Sequence, residues 1–407
     1  MMYDLGIAAY TAGIRLAAPF HAKARLWVRG RKGVRGKIRE IAAEKGRLVW
    51  FHAASLGEFE QGRPVMEALK RQEPETRILL TFFSPSGYEV RKNYSGADYI
   101  LYLPADTPSN ARFFVQTLQP AAAVFIKYEF WYNYLNELHR RCIPTYLISA
   151  IFRKEQPFFK SWGGLHRRML GYFTRLFVQD SGSVRLLASI GVQQAEQTGD
   201  TRFDRVKQIA ADALRIEQVE QFLNGAPALV CGSTWGPDEE LLLAYMNDYS
   251  GPYKLIIAPH EIHESRLRSI LDKCRKPAVR FSRYIAGENA DVLIIDCIGL
   301  LSSVYRYGKI AYIGGGFGAG IHNTPEAAVY GIPVLFGPKF GKFREAVELK
   351  ERGGAFSIRT AGELKELLDT LTASDPIREA AGRRAGEYVN SQLGATAVIV
   401  RALARHD

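Results

Sequence analysis

The apolar positions of this chain come in short runs, separated by turn-forming residues and by longer stretches of mixed character. Short apolar runs rich in β-branched residues read as buried strands, and longer amphipathic stretches as helices. On that pattern residues 48–53, 77–83, 99–103, 121–126, 145–148 and 175–179 are predicted strands of one α/β domain. Residues 228–231, 254–258, 292–296, 309–313 and 332–336 are predicted strands of a second. Residues 206–224 and the tail 376–405 carry helical periodicity. Strands alternating with helices predict parallel, doubly wound sheets, which place ligands at the carboxyl ends of their strands.

One connection stands out. After the strand 309–313 come five glycines within seven residues, Gly314 to Gly320, then a helix-like run 324–330, then the strand 332–336. Glycines let a ligand approach the backbone, and a helix start offers N–H groups to a phosphate. Glu326 falls in the first helical turn, where it either caps the helix or accepts hydrogen bonds from a ribose. The spacing is neither G-x-G-x-x-G nor G-x-x-x-x-G-K-[ST]. Glu58 follows the strand 48–53 directly, at a sheet edge of the same kind. Its position alone leaves two roles open, ligand chemistry or charge complementarity to the helix start.

Composition narrows the partners. The chain has 407 residues, enough for two domains, and a formal net charge of +12 that favours an anionic partner. Its four cysteines are widely spaced and read as reduced thiols rather than a disulfide frame or zinc site. Residues 1–20 are mostly apolar, and from Lys23 to Arg39 there are eight Lys or Arg and no acid. Apolar followed by basic suits an anionic membrane surface; a buried first helix with a solvated basic face is the alternative. His260 and His263 do not form H-E-x-x-H, so metal is not expected there.

The ordered motifs resemble one family. H-A-A-S-L-G-E at 52–58, S-P-S-G at 84–87, K-Y-E-F-W at 127–131, G-S-T at 232–234 and the glycine stretch through G-P at 337–338 are similar to those of the 3-deoxy-D-manno-octulosonic acid (Kdo) transferases of lipopolysaccharide synthesis. These are glycosyltransferases of the GT-B type. Lys127 and Leu300 stand where glutamate is usual, and residues 149–153 depart from the usual N-A-R-L-S.

The resemblance implies two Rossmann-like domains facing a cleft, with residues 1–40 a membrane-associating segment. Residues 41–205 are the expected acceptor domain, 206–227 a linker, 228–385 the CMP-sugar domain, and 386–407 a helix returning towards the first domain. It implies Glu58 as catalytic base. Donor contacts are expected from Ser233, Thr234, Pro259, His260, Ile298, Gly299, Gly316, Gly318, Gly320, His322, Asn323, Glu326 and Lys342. Acceptor contacts are expected from Ser55, Gly57, Ser84, Ser86 and Glu129. The implied reaction is metal-independent and cofactor-free inverting transfer of Kdo from CMP-Kdo to the 6′-hydroxyl of a lipid A precursor. The implied location is the cytoplasmic face of the bacterial inner membrane, monotopic or by one N-terminal anchor. A UDP-sugar transferase or epimerase is the alternative within this fold. A basic nucleic-acid-binding protein is the alternative outside it, though no RNA or DNA module is recognisable.

Overall fold

The computed structural model describes residues 2–404. The chain forms two units: one runs to Asp204 and takes the chain back from Leu393, and the other is Arg205–Gln392.

The first unit holds β1 (Leu48–Ala53), β2 (Arg77–Phe82), β3 (Tyr99–Tyr102), β4 (Ala122–Ile126), β5 (Thr145–Ala150), β6 (Arg175–Val178) and β7 (Ala195–Gln197). They pair in parallel in the order β3-β2-β1-β4-β5-β6-β7. Every residue of β1 is buried because both sheet faces are covered. Alternate residues serve opposite faces. Trp50, Leu79, Phe125 and Leu147 pack with Ile38 and Phe114, from the helices Val34–Ala43 and Pro108–Leu118. Val49, Phe51, Leu80 and Val124 pack with Val65 of the helix Leu56–Gln72 and with Ile399 of the helix Ala395–Leu403. The strand order reverses between β1 and β4, so the loops after them diverge and leave a crevice at the carboxyl edge.

The N-terminal segment is built into this unit. Trp27, Val34, Ile38 and Ile41 are core residues. Arg31, expected with the rest of the basic run to face an anionic membrane surface, is enclosed. It donates to the Leu103 and Phe83 carbonyls at 2.8 Å and to that of Trp27 at 3.1 Å. Its guanidinium also lies 3.7 Å from the Trp27 ring centre. Burial pushes its pKa down to about 9, so it stays charged at neutral pH. The helix Met2–Ala17 buries none of its side chains. No described helix is long and apolar enough to cross a membrane.

The second unit holds β8 (Ala228–Thr234), β9 (Lys254–Pro259), β10 (Ala278–Arg280), β11 (Val292–Ile294), β12 (Gly308–Ile313), β13 (Val334–Phe336) and β14 (Ala355–Ser357), all parallel, in the order β10-β11-β9-β8-β12-β13-β14. Its reversal lies between β8 and β12. Residues 206–227, expected as a linker, are instead part of this unit. They carry the end of the helix Thr201–Ala211 and the helix Glu217–Leu223, whose Val219 and Phe222 are buried. The tail is two helices, Asp375–Ser391 and Ala395–Leu403, broken at Gly394 with φ 111°. There Asp204 accepts from the amides of Gly394 at 2.8 Å and Thr396 at 2.7 Å, fixing the point where the chain rejoins the first unit.

Candidate functional site

At the β1/β4 reversal of the first unit, three loops are tied together. Ser84 N donates to Ala54 O at 2.8 Å, joining the loops after β2 and β1. His52 Nε2, at the end of β1, donates to Glu129 Oε2 at 3.1 Å, and Trp131 Nε1 donates to the same oxygen at 2.7 Å. Glu129, expected as an acceptor contact, is therefore turned inward and 8% exposed, bracing the loop after β4 against β1. Ahead of it Lys127 holds φ 64°, a left-handed conformation that costs a non-glycine residue energy.

Glu58 lies in the first turn of the helix Leu56–Gln72, half-buried, and accepts a hydrogen bond on Oε2 from Ser55 Oγ. Among the described residues none donates to its other oxygen. Glu60, two residues on, is committed to Arg91 at 2.8 Å. Ser84 and Ser86 hydrogen-bond each other at 2.6 Å, and Gly57 is exposed at the helix start. Thus Ser55, Gly57, Glu58, Ser84 and Ser86 share one edge, with one carboxylate oxygen free to take a proton.

In the second unit the β8/β12 reversal is closed by a carboxylate that the sequence analysis did not single out. Asp238 is fully buried. Its Oδ2 accepts from Trp235 N and from Gly315 N, both at 2.9 Å, and its Oδ1 accepts from Tyr312 OH at 2.8 Å. The glycine loop is thereby bound to the turn after β8. A Cβ at Gly314 would collide with the Ser233 carbonyl, and one at Gly316 would lie 2.6 Å from Gly337 Cα. Bare backbone at these positions lets the loops after β8, β12 and β13 meet.

Thr234, expected to face a phosphate, is 1% exposed and donates its hydroxyl to Glu239 at 3.0 Å, so its side chain is removed from the donor set. Ser233 before it holds φ 52°. Trp235, which the sequence pattern does not single out, stacks on His260 at 4.6 Å, and His260 stacks on His322 at 4.6 Å. Trp235 Nε1 donates to His322 Nε2 at 3.2 Å, placing the His322 proton on Nδ1. Burial, then the neighbouring His260, push the His322 pKa down, favouring this neutral ring. The three rings form a wall beside the glycine loop.

Asn323 Nδ2 donates to Glu326 Oε1 at 2.7 Å. Asn323 Oδ1 and Thr324 Oγ1 are buried with no hydrogen-bond partner among the described residues, a state that a polar ligand at this turn would relieve. Gly318 and Gly320 donate to Gly315 O at 2.9 and 3.2 Å, curling the loop on itself. Pro259 ends β9, and Ile298 (89% exposed), Gly299 and Lys342 sit on loops of the same unit. His263 is exposed and contacts Glu261 at 3.2 Å. Among the described residues no group of three or more His, Cys, Asp or Glu is arranged to hold a metal ion.

A family profile described as 3-deoxy-D-manno-octulosonic-acid transferase (kdotransferase) matches residues 28–205. The chain is 29% identical over 334 residues to the 3-deoxy-D-manno-octulosonic acid transferase of Aquifex aeolicus, covering 80% of this chain and 86% of that one. It is 26% identical to the enzyme of the same name from Rickettsia prowazekii, covering 80% and 71%. The UDP-GlcNAc 2-epimerase from Neisseria meningitidis, solved with UDP-GlcNAc, is similar in fold with a TM-score of 0.62, at 15% identity over 88% of this chain and 99% of that one.

Proposed function

Because the chain belongs to the Kdo transferase family, we propose that it moves Kdo from CMP-Kdo to the 6′-hydroxyl of a lipid A precursor, lipid IVA, with inversion and without a metal. The observation that carries the reading is Glu58, held by Ser55 at the carboxyl edge of β1 with one oxygen unengaged.

The chemistry is one displacement. The acceptor oxygen forms a bond to the anomeric carbon of Kdo as the bond from that carbon to the CMP phosphate oxygen breaks. The hydroxyl proton passes to Glu58, and CMP leaves with the electron pair. A base taking a proton in the transition state contributes about 10²–10⁴-fold. Charge on the departing phosphate is met by Ser233, Lys342 and the Nδ1–H of His322, donors of the kind that stabilise a leaving anion. Thr234 contributes backbone only. Glu326 and Asn323 are assigned to the ribose, and Ile298 and Gly299 to the base.

We place the protein on the cytoplasmic face of the bacterial inner membrane. Met2, Leu5, Leu16 and Phe20 are each at least 70% exposed. A cavity of about 490 Å³ that reaches the helix Met2–Ala17 at Thr11 and Arg15 is lined by Arg15, Arg31, Lys32 and Arg35 and by no acid. Apolar side chains next to cations suit an anionic lipid surface. The test of the donor is turnover with CMP-Kdo or UDP-GlcNAc, with and without EDTA. CMP-Kdo consumed equally in both conditions is the expected result; use of UDP-GlcNAc alone, or loss of activity restored by a divalent cation, would contradict it.

A further inference from the structure

A second cavity of the first unit, about 320 Å³, has no charged lining. Its walls include Tyr3, Tyr128, Phe130, Phe158, Leu165 and Met169. The Tyr3 hydroxyl is spent on Asp106 at 2.6 Å. The His166 ring at its edge is kept neutral, since burial pushes its pKa down. Beyond Gln156 and the His166 ring, whose Nδ1 is buried with no hydrogen-bond partner among the described residues, the lining is mainly aromatic and aliphatic: Phe130 and Phe158 meet at 4.8 Å, and Phe158 and His166 at 5.6 Å. A sugar or nucleotide here would lose water from its hydroxyls with few partners in return. An alkyl chain loses nothing and gains with each methylene buried. At ~30 Å³ for a water-sized group, the volume holds roughly ten methylenes.

The position selects the ligand. Tyr128 comes directly before Glu129, which is bonded to His52 at the end of β1, so this wall belongs to the edge that carries Glu58. Tyr3, which also lines the cavity, belongs to the N-terminal helix with its exposed Met2 and Leu5. Trp162, 68% exposed, flanks the cavity 6.0 Å from His166. Apolar surface thus runs from the exposed helix through the cavity to the edge of the candidate base.

We propose that this cavity is an acyl-chain subsite, in which one alkyl chain of the lipid acceptor is buried while its sugar hydroxyl is presented at Glu58. The assignment rests on the proposed lipid acceptor, but its first test does not. Brominated dodecyl maltoside, below its micelle concentration, is titrated into the protein, and quenching of Trp162 is read as the difference between wild type and Trp162→Phe. Saturable quenching is expected. Leu165→Glu should weaken it by at least about tenfold, comparable to losing two buried methylenes, whereas Leu165→Met should match wild type. At fixed CMP-Kdo, the preference for a tetra-acylated over a fully deacylated acceptor, as a ratio of kcat/KM, should fall by a similar factor in Leu165→Glu. Absence of saturable quenching in the wild type overturns the proposal without any variant, as does equal quenching in a folded Leu165→Glu. Quenching as expected with no Kdo transfer to either acceptor leaves the cavity an alkyl site and removes the proposed reaction instead.

Discussion

Glu58 and Glu60 are two residues apart on one helix, yet their surroundings differ. The Ser55 hydroxyl holds one oxygen of Glu58, while Glu60 is paired with Arg91. Glu58→Gln keeps size and hydrogen bonding but cannot take a proton. Its kcat should fall by at least about 10²-fold, with melting temperature and CMP affinity little changed, and Glu60→Gln should retain most activity. Near-normal turnover of Glu58→Gln would move the base elsewhere. Glu326 makes a separate case. Glu326→Ala should weaken CMP binding by about 1.5–3 kcal/mol, the range for a hydrogen bond to a charged group. Unchanged affinity in calorimetry would make Glu326 a structural brace of its turn, acting through its hydrogen bond from Asn323. The place of Glu58 at the strand-to-helix edge was legible in the sequence because a strand, a serine and a glycine lead into it. Thr234 was not, because its hydroxyl is claimed by Glu239, five residues on, after the next helix has started. Glu129 was misplaced for a related reason: the buried His52 that draws it inward comes from a strand far away in sequence.

At the scale of elements, buried strands were the easiest to read, since a run apolar on both faces leaves little ambiguity. The short edge strands β7, β10 and β14 were missed because they are only partly buried and carry no continuous apolar run, unlike the equally short β11 and β13. The glycine stretch reads as a ligand turn, but its clamp does not, because Asp238 reaches Gly315 across 77 positions. The N-terminal basic run divides in a way its composition hid. Arg29, Lys32, Arg35 and Lys37 are exposed, whereas Arg31 is held among three carbonyls and the Trp27 ring. Changing Arg29, Lys32, Arg35 and Lys37 to Glu should release the protein from anionic vesicles at physiological salt while the fold persists. Arg31→Ala should instead lower stability in urea by at least ~1–3 kcal/mol, the cost of a buried acceptor left unpaired. Vesicle binding undiminished by the four changes would remove the basic run from the proposed membrane contact.

At the scale of the whole molecule, the residues assigned to base and donor in the proposed reaction fall on different units, each at the reversal of its own parallel sheet. Two sheets of that kind were legible because strands and helices alternate along the chain. The handover was not: the helices of 206–227 join the second unit through Val219 and Phe222, and the return at Gly394 depends on Asp204, which is distant in sequence. A net charge of +12 fits an anionic donor, acceptor and surface alike and cannot separate them. Product chemistry can. The most direct measurement is mass spectrometry of a tetra-acylated lipid A precursor after incubation with CMP-Kdo and either wild type or Glu58→Gln. The wild type should raise the acceptor mass by one or more Kdo residues, and Glu58→Gln should leave nearly all of it at the starting mass. An acceptor recovered unmodified from folded wild-type protein, or modified equally fast by both, would contradict the assignment of Kdo transfer through Glu58.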